Sequence, residues 1–208
     1  MKPFHSSTWA ALGVATLLAA CANSVPAPVL LSLPPSLGAA APAAVNAAPP
    51  AAGASAPLLA IRRVAIPEYV VSRRVRFRTD ASTLAEWPNT YWAERIEIGV
   101  TREFVTTLRA QLPGWSLCDT SCDDQAPTLA LQVDVSPLDY LRSARRLQAH
   151  ARITLNSTGA APRALQTWDS DHDIAASADT PQAQAEAIAQ LMRQLATSTA
   201  PLIRASAR

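Results

Sequence analysis

Hydrophobic and polar residues alternate along several short stretches of this chain, which is the pattern of β-strands with one buried face. The clearest alternation covers residues 129–135 and 147–155, which are predicted to be neighbouring antiparallel strands. In a third stretch, residues 59–66, the alternation slips at Arg62 and Arg63, which indicates a β-bulge. Further strands are predicted at residues 75–79, 83–87, 115–118 and 163–169.

Two longer stretches have the helical period instead. Over residues 90–112 the hydrophobic side chains recur every four residues and form one apolar stripe, which Pro113 and Gly114 end. A final helix is predicted to begin at Thr180, a suitable N-cap, with Pro181 in the first helical position. Pro201 is expected to end or kink this helix. The two apolar faces consist of Trp92, Ile96, Val100, Phe104, Leu108 and Leu112, and of Ala185, Ile188, Leu191, Met192 and Leu195.

The order of these elements predicts the fold class. Strands are followed by a helix, then by strands and a second helix, with no internal repeat and no second core. Helices gathered on one face of a largely antiparallel sheet form a two-layer arrangement. We therefore expect an α+β two-layer sandwich, with a mostly antiparallel sheet of about five strands and two main helices on one face.

The first twenty residues have the organisation of a bacterial signal peptide. Lys2 precedes an uncharged stretch, residues 9–20, that would span about 18 Å as a helix. This is too short for a hydrocarbon core of about 30 Å. The stretch ends in Leu18-Ala19-Ala20-Cys21, which resembles a lipobox, the site where a peptidase cuts just before a diacylated cysteine. We expect residues 1–20 to be removed and Cys21 to carry diacylglycerol and an N-acyl chain; the alternative is an ordinary cleaved signal with a chance cysteine.

An Ala/Pro-rich segment follows the lipidated cysteine. Residues 21–57 have no hydrophobic period, so they are predicted to be a tether between the lipid and a domain at residues 58–208. Within it, residues 29–33 are apolar and could form a first strand that Pro34 and Pro35 end.

Two cysteines remain in the mature chain, Cys118 and Cys122. In an oxidising periplasm, cysteines so close in a loop are expected to form a disulfide, which would contribute about 2 kcal/mol. A metal site is the alternative, because Asp119, Asp123 and Asp124 are adjacent. The chain offers no second Cys/His pair at the spacing of a zinc site.

The charge balance narrows the choice of partners. The formal net charge of +2 includes Lys2, the only lysine, so the mature chain has 17 arginines against 16 acidic residues. A balance this close to neutral gives no reason to expect nucleic acid as a partner. It also offers no polybasic segment for anionic lipid, so membrane attachment is expected to come from the lipid at Cys21.

Three stretches of the chain resemble the ABC-type transport auxiliary lipoproteins of the PqiC and YmbA kind. They are Ile66-Pro67-Glu68-Tyr69-Val70, Arg73-Arg74-Val75 and Tyr91-Trp92-Ala93-Glu94-Arg95-Ile96. The order of elements agrees over about residues 58–203. The chain departs from the family pattern at Val70-Val71-Ser72, where Leu-Asp is usual, and its tether is unusually long.

The resemblance implies a role beside an envelope lipid-transport system. Members of the family accompany MCE-domain proteins, which bridge the two membranes and carry phospholipid or related cargo. This lipoprotein would be the docking component on the periplasmic face of the outer membrane, because Ala22 and Asn23 follow the lipidated cysteine where inner-membrane lipoproteins commonly have Asp. A free-standing scaffold or assembly lipoprotein is the alternative role. Self-association into a homo-oligomer stays open as a further interaction.

Candidate contacts for a partner or lipid lie mainly in the stretches that carry the resemblance. They are Pro67, Glu68, Tyr69, Arg76, Arg78, Trp92, Glu94 and Arg95. Tyr69 follows a strand end, Arg76 and Arg78 share the exposed side of their strand, and Trp92 is expected to top the apolar face of the first helix. For each of these residues an ordinary structural role, as core, cap or solvated face, is the competing interpretation.

Catalysis is not expected. After signal removal only His150 and His172 remain, and a hydrolase needs a nucleophile, a base and an orienting group that meet in space. The Gly-x-Ser-x-Gly motif and the Gly-rich phosphate loop of an ATPase are both absent from the sequence. We expect no cofactor and no metal.

Overall fold

The computed structural model describes residues 26–35, 57–119, 122 and 126–206. Its eight strands are β1 (Val29–Leu31), β2 (Leu58–Ile61), β3 (Arg74–Arg78), β4 (Leu84–Trp92), β5 (Ser116–Cys118), β6 (Leu129–Leu141), β7 (Arg146–Ser157) and β8 (Ala164–Ala175). Its two helices are α1 (Ile96–Gln111) and α2 (Pro181–Ser206). The α+β class is therefore confirmed.

The sheet differs from the prediction in its size and strand directions. Its strand order is β1-β4-β3-β6-β2-β5, and β7 continues from β6 to β8. Four of the seven pairings are parallel, namely β1–β4, β2–β5, β2–β6 and β3–β6. The expectation of about five mostly antiparallel strands was wrong, because local alternation marks a strand without showing which neighbour it pairs with. The predicted antiparallel pairing of the two clearest strands, β6 and β7, is confirmed.

The predicted bulge at Arg62–Arg63 follows the last residue of β2. Beyond it, the chain forms one more isolated bridge to β6. Ile61 pairs with Leu131 in β6, and Ala65 forms an isolated bridge with Asp134. Four residues on one side therefore match three on the other, which is the geometry of a bulge.

Strand β6 contains a second bulge and extends beyond its predicted end. Val135 pairs with Ala151 and Leu138 pairs with Ala149, so one extra residue lies between them on β6. The extra residue shifts the alternation, so that Leu138 and Tyr140 are buried while Asp139 points to the outer face. The predicted strand ends at residue 135, where the strict alternation stops, and Pro137, which follows a cis peptide bond, lies inside the observed strand.

The boundary between β4 and α1 lies later than the sequence predicts. Strand β4 continues through Pro88 to Trp92, and Asn89 has a positive φ of 49° inside it. Helix α1 begins at Ile96, with Arg95 as its N-cap. Trp92 is therefore the last residue of a strand, and the stripe from Ile96 to Leu112 is buried as expected.

Helix α2 supplies much of the core. Thr180 is its N-cap, since its Oγ1 accepts a hydrogen bond from the amide of Ala183 at 3.2 Å. The predicted apolar face, including Leu191, Met192 and Leu195, is completely buried. The helix continues through Pro201 to Ser206 instead of ending there. No helix in the described ranges is both long enough and apolar enough to cross a membrane.

The short strand β1 is part of the sheet and not of a tether. It pairs in parallel with the end of β4, and its partners there are Thr90, Tyr91 and Trp92. Leu31 and the following Leu33 are buried in the core, and Leu33 lies against Gly99 of α1. The predicted signal peptide and most of the predicted tether lie outside the described residues.

One buried polar side chain joins α2 to the sheet. Gln184 donates a hydrogen bond from Nε2 to the carbonyl of Arg76 in β3 at 2.7 Å. Its Oε1 accepts a bond from Nε1 of the buried Trp87 in β4, also at 2.7 Å. The side chain thus forms hydrogen bonds with two neighbouring strands and fixes the position of α2 along the sheet.

We expect Gln184→Ala to lower the free energy of unfolding by about 2–4 kcal/mol, because Trp87 Nε1 and the Arg76 carbonyl would lose their partner while buried. Gln190→Ala, an exposed substitution on the same helix, is the matched control and should change stability by less than about 0.5 kcal/mol. Urea unfolding of the two variants measures the difference. Equal effects would contradict the role assigned to Gln184.

Candidate functional site

The structure separates the predicted contact residues into two groups. Pro67, Glu68 and Tyr69 form a turn that lies beside Arg76 and Arg78 on the outer face of β3. Glu94 and Arg95 lie in the link between β4 and α1. Trp92 is only 5% exposed and packs in the core, so it is not a surface contact.

The first group is organised by a residue that the sequence analysis did not select, Asp139. Its Oδ1 accepts hydrogen bonds from the Tyr69 hydroxyl at 3.0 Å and from Nη2 of Arg78 at 2.9 Å. The Arg78 guanidinium also lies over the Tyr69 ring, 5.6 Å from its centre. The only sequence signal for Asp139 is its outward position in the alternation of Leu138, Asp139 and Tyr140, which depends on the bulge in β6.

The side chains of this cluster are largely buried, so their main role is to stabilise the fold. Arg78 shares the outer face of β3 with Arg76, but the side chains of Arg78 and Asp139 are only 17% and 15% exposed, so Arg78 is not freely solvated there. Burial raises the pKa of Tyr69, and the hydrogen bond to Asp139 raises it further. The hydrogen bond with Asp139 likewise raises the pKa of Arg78. Tyr69 is therefore neutral and Arg78 charged at every physiological pH.

The groups that the first cluster presents to solvent are Glu68 and Arg76. Glu68 is exposed at the top of the turn. Arg76 is more exposed than Arg78; it pairs with Glu86 at 3.3 Å and donates a hydrogen bond to the carbonyl of Tyr69 at 3.4 Å. The turn, Arg76 and the half-buried cluster of Tyr69, Arg78 and Asp139 form a surface of mixed charge whose side chains are joined by hydrogen bonds.

The second group consists of ion pairs at the start of α1. Glu94 accepts a hydrogen bond from Nη1 of Arg102 at 2.8 Å, and this bond lowers the pKa of Glu94. Arg95 forms an ion pair with the buried Glu97. The predicted helix over residues 90–112 places Glu94 and Arg95 in its first turns. Because α1 begins at Ile96, they precede it instead and link its first two turns to the end of β4.

A cluster on the outer face of the sheet was missed by the sequence analysis. The guanidinium groups of Arg73 and Arg74 lie 5.8 Å and 5.3 Å from the centre of the Tyr91 ring. The sequence analysis assigned residues 90–92 to a helix and therefore could not predict this cluster. In a strand, Tyr91 and Trp92 point to opposite faces, so Tyr91 lies on the outer face when Trp92 is buried.

The outer face of β7 and β8 carries a ladder of ion pairs. Arg146 pairs with Asp173, Arg152 pairs with Asp169 at 2.8 Å, and His150 contacts Asp171 at 2.8 Å. The cations are on β7 and the carboxylates are on β8. Among the described residues β8 pairs with β7 alone, so the carboxylates line a free edge of the sheet.

The second histidine lies on the inner face of β8. Nε2 of His172 is 2.9 Å from Oγ of Ser170, which is the contact of a nucleophile with a base. The other partner of His172 is the amide of Gln194, and burial lowers the pKa of its imidazole. Since the hydrogen bonds described for this histidine go to a hydroxyl and an amide, no carboxylate orients it as a triad requires.

Cys118 and Cys122 are joined by a disulfide, with their Cα atoms 5.6 Å apart. Cys118 is the last residue of β5, so the bond closes a short loop at the edge of the sheet. No group of three or more metal-ligating side chains is present within the described part of the chain.

Comparisons with known proteins identify a family through one family model and show the same fold in solved structures. Residues 37–200 match the family model for the ABC-type transport auxiliary lipoprotein component. No curated protein matches the chain significantly. A crystal structure of an uncharacterized protein superposes with a TM-score of 0.65 at 18% identity, over 86% of this chain and 99% of that one. Protein XCC0632 from Xanthomonas campestris, of family DUF330, superposes with a TM-score of 0.59 at 15% identity, over 88% and 96% of the two chains.

We expect Asp139→Ala to lower the free energy of unfolding by about 1–3 kcal/mol, because Arg78 and the Tyr69 hydroxyl would lose a shared, half-buried acceptor. Asp134→Ala is the matched control on the same strand, where the carboxylate accepts a hydrogen bond from the amide of Gln132 at 3.0 Å. Chemical denaturation of both variants tests this, and an equal loss in the two would argue against a central role for Asp139.

The two mature-chain histidines should titrate on opposite sides of the ordinary imidazole pKa of about 6.5. The hydrogen bond with Asp171 raises the pKa of His150, whereas burial lowers that of His172. The His150 pair thus stabilises the fold fully below about pH 6.5, and this contribution is lost as the pH rises through the raised value. NMR titration should show two separate midpoints.

Asp171→Asn should lower the His150 midpoint, whereas Asp173→Asn, which removes the neighbouring carboxylate paired with Arg146, should leave it nearly unchanged. A single shared midpoint for both imidazoles would contradict the environments described for them.

Proposed function

Because this chain belongs to the family of ABC-type transport auxiliary lipoprotein components, we propose that it is an accessory protein of an MCE-type ABC lipid transport system. In this role it is attached through Cys21 to the periplasmic face of the outer membrane and helps to maintain envelope integrity. The family match over residues 37–200 is the observation that carries the proposal.

The membrane anchor follows from the lipobox Leu18-Ala19-Ala20-Cys21. Diacylglycerol and an N-acyl chain on Cys21 would contribute about 0.8 kcal/mol for each buried CH₂ group, and more than one chain makes attachment stable. The lipid is the only non-protein group that the proposal includes. A disulfide between Cys118 and Cys122 suits the same oxidising compartment.

The proposed role is non-catalytic. The polar clusters of the described residues are ion pairs and hydrogen bonds that hold the sheet and helices together. Asp139 is occupied by Tyr69 and Arg78, and the Ser170–His172 contact has no orienting carboxylate. Rigid surfaces of this kind suit protein contacts, because little conformational entropy is lost when they bind.

We assign the contact with the MCE-domain partner to the turn Pro67-Glu68-Tyr69 and to Arg76. Glu68 is exposed on the turn, and Arg76 is joined to the same turn through the carbonyl of Tyr69, while Tyr69 and Arg78 are both bonded to Asp139. Mixed charges on a fixed frame favour specificity and orientation of a partner more than raw affinity. Glu94 and Arg95 form a smaller polar surface near the start of α1.

The test is photocrosslinking in intact cells, with a photoreactive amino acid at position 68 in the full-length chain. We expect crosslinks from position 68 to an MCE-domain protein and few from position 190, which is exposed on α2. Capture of only other envelope proteins would favour a free-standing scaffold, and capture of a second copy of the chain would show self-association. Crosslinks from position 190 alone would contradict the assigned surface.

The anchor is tested separately by membrane fractionation. The natural chain should sediment with the outer membrane, and Cys21→Ser should abolish lipid attachment measured by mass spectrometry. Inner-membrane fractionation of the natural chain would overturn the assigned location without affecting the family role.

A further inference from the structure

We propose that the outer face of the β1–β4–β3 edge, formed by Leu30, Tyr91, Arg73 and Arg74, rests on the anionic phospholipid surface of the membrane that holds Cys21. This inference depends on the anchoring of Cys21 in the proposed function. It adds an orientation for the whole domain and a second point of membrane contact.

The residues of this surface form a row across three strands. Leu30 of β1 is the register partner of Tyr91 in β4, and Tyr91 is the partner of Arg74 in β3. Aligned residues of neighbouring strands point to the same face of a sheet. Their neighbours Leu31 and Trp92 are buried on the inner face, so Leu30 and Tyr91 point outward.

Exposed apolar side chains are concentrated at this edge. Among the described residues four large hydrophobic side chains are exposed, and two of them, Val29 and Leu30, are adjacent in β1. Leu30 has the highest exposure of the four, at 59%. An edge strand that leaves such side chains in water is usually covered by something.

The charge of the row suits anionic headgroups. Arg73 and Arg74 lie over the Tyr91 ring, and the carboxylate of Glu86 is shared by Arg74 at 3.2 Å and Arg76 at 3.3 Å. Three arginines and one carboxylate leave this part of the face positive. An aromatic ring with arginines beside it and aliphatic side chains at the edge is the combination that favours a membrane interface.

Chain length restricts which side of the domain can face the membrane. Seven residues lie between Cys21 and Val29, and the eight fully extended steps from one to the other reach about 28 Å at most. A domain of about 150 residues has a radius of gyration near 15 Å and hence a diameter of about 40 Å. The chain is therefore too short to pass around the domain, so β1 lies on the half of the domain nearest to the lipid.

The proposed partner surface borders this membrane surface. Arg76 is two residues from Arg74 on the same face of β3, and it contacts the turn at Tyr69. A partner bound to the turn would thus lie next to the headgroups, where an outer-membrane docking component is useful to a lipid carrier.

The test uses the full lipidated chain in vesicles of phosphatidylethanolamine and phosphatidylglycerol, with a polarity-sensitive fluorophore at Leu30→Cys. Gln190→Cys on the opposite layer is the matched control. Both positions are exposed, so the substitutions leave the core intact, and Cys118 and Cys122 are bonded to each other, so they do not take up the label. Headgroup spin-labelled lipid should quench position 30 at least threefold more strongly than position 190.

The contribution of charge is measured with the double substitution Arg73→Glu and Arg74→Glu in the Leu30→Cys chain. Each arginine near an anionic surface increases the fraction of domains in contact with that surface by about fivefold. The quenching at position 30 should therefore fall at least about fivefold in the double variant. Arg109→Glu and Arg163→Glu, two exposed arginines elsewhere, keep the same net charge and should leave the quenching unchanged.

Equal quenching at positions 30 and 190 would overturn this inference. Quenching at position 30 that is unchanged by the double substitution at Arg73 and Arg74 would also overturn it. Neither result would affect the proposed transport role. A chain that fails to float with the vesicles lacks its anchor, and that result would overturn the inference and the anchoring together.

Discussion

Burial of the apolar face of α2 against the inner face of the sheet is the interaction on which the rest of this structure depends. Leu191, Met192 and Leu195 are fully buried, and each such side chain contributes about 1.5–3 kcal/mol when removed from water. Apolar contacts alone would let a long helix slide along the sheet. Gln184 prevents this, because its amide has partners in both β3 and β4. With α2 fixed, the outer faces of these strands can carry polar and charged groups in a defined order.

Much of the fold could be predicted from the sequence wherever a local pattern also determines the partner. The alternation in β6 and β7 predicts both strands and their pairing, since a short connection favours antiparallel neighbours. The cap at Thr180 likewise predicts the start of α2. The parallel pairings of β1, β2 and β5 could not be predicted, because strands of three or four residues carry too little alternation and their partners are distant in sequence.

The errors at the candidate site have two specific causes. Trp92 falls in phase with Ile96 and Val100, so a helical period could be read through the end of a strand, and this placed Trp92, Glu94 and Arg95 in the wrong element. The strict alternation stops at residue 135, so the second half of β6 was not predicted, and with it Asp139, which holds Tyr69 and Arg78. In both cases the competing signal is a bulge or a positive φ inside a long strand, which tertiary packing permits and local sequence does not reveal.

The distribution of charge between β7 and β8 has a consequence for how copies of this chain could assemble. Arg146, His150 and Arg152 lie one strand inward, whereas Asp169, Asp171 and Asp173 lie on the strand with the free edge. If two copies met antiparallel along this edge, carboxylates would face carboxylates, and the cations that neutralise them would be a strand away. Such a junction is electrostatically unfavourable. The ladder therefore disfavours extension of the sheet by pairing of two β8 edges.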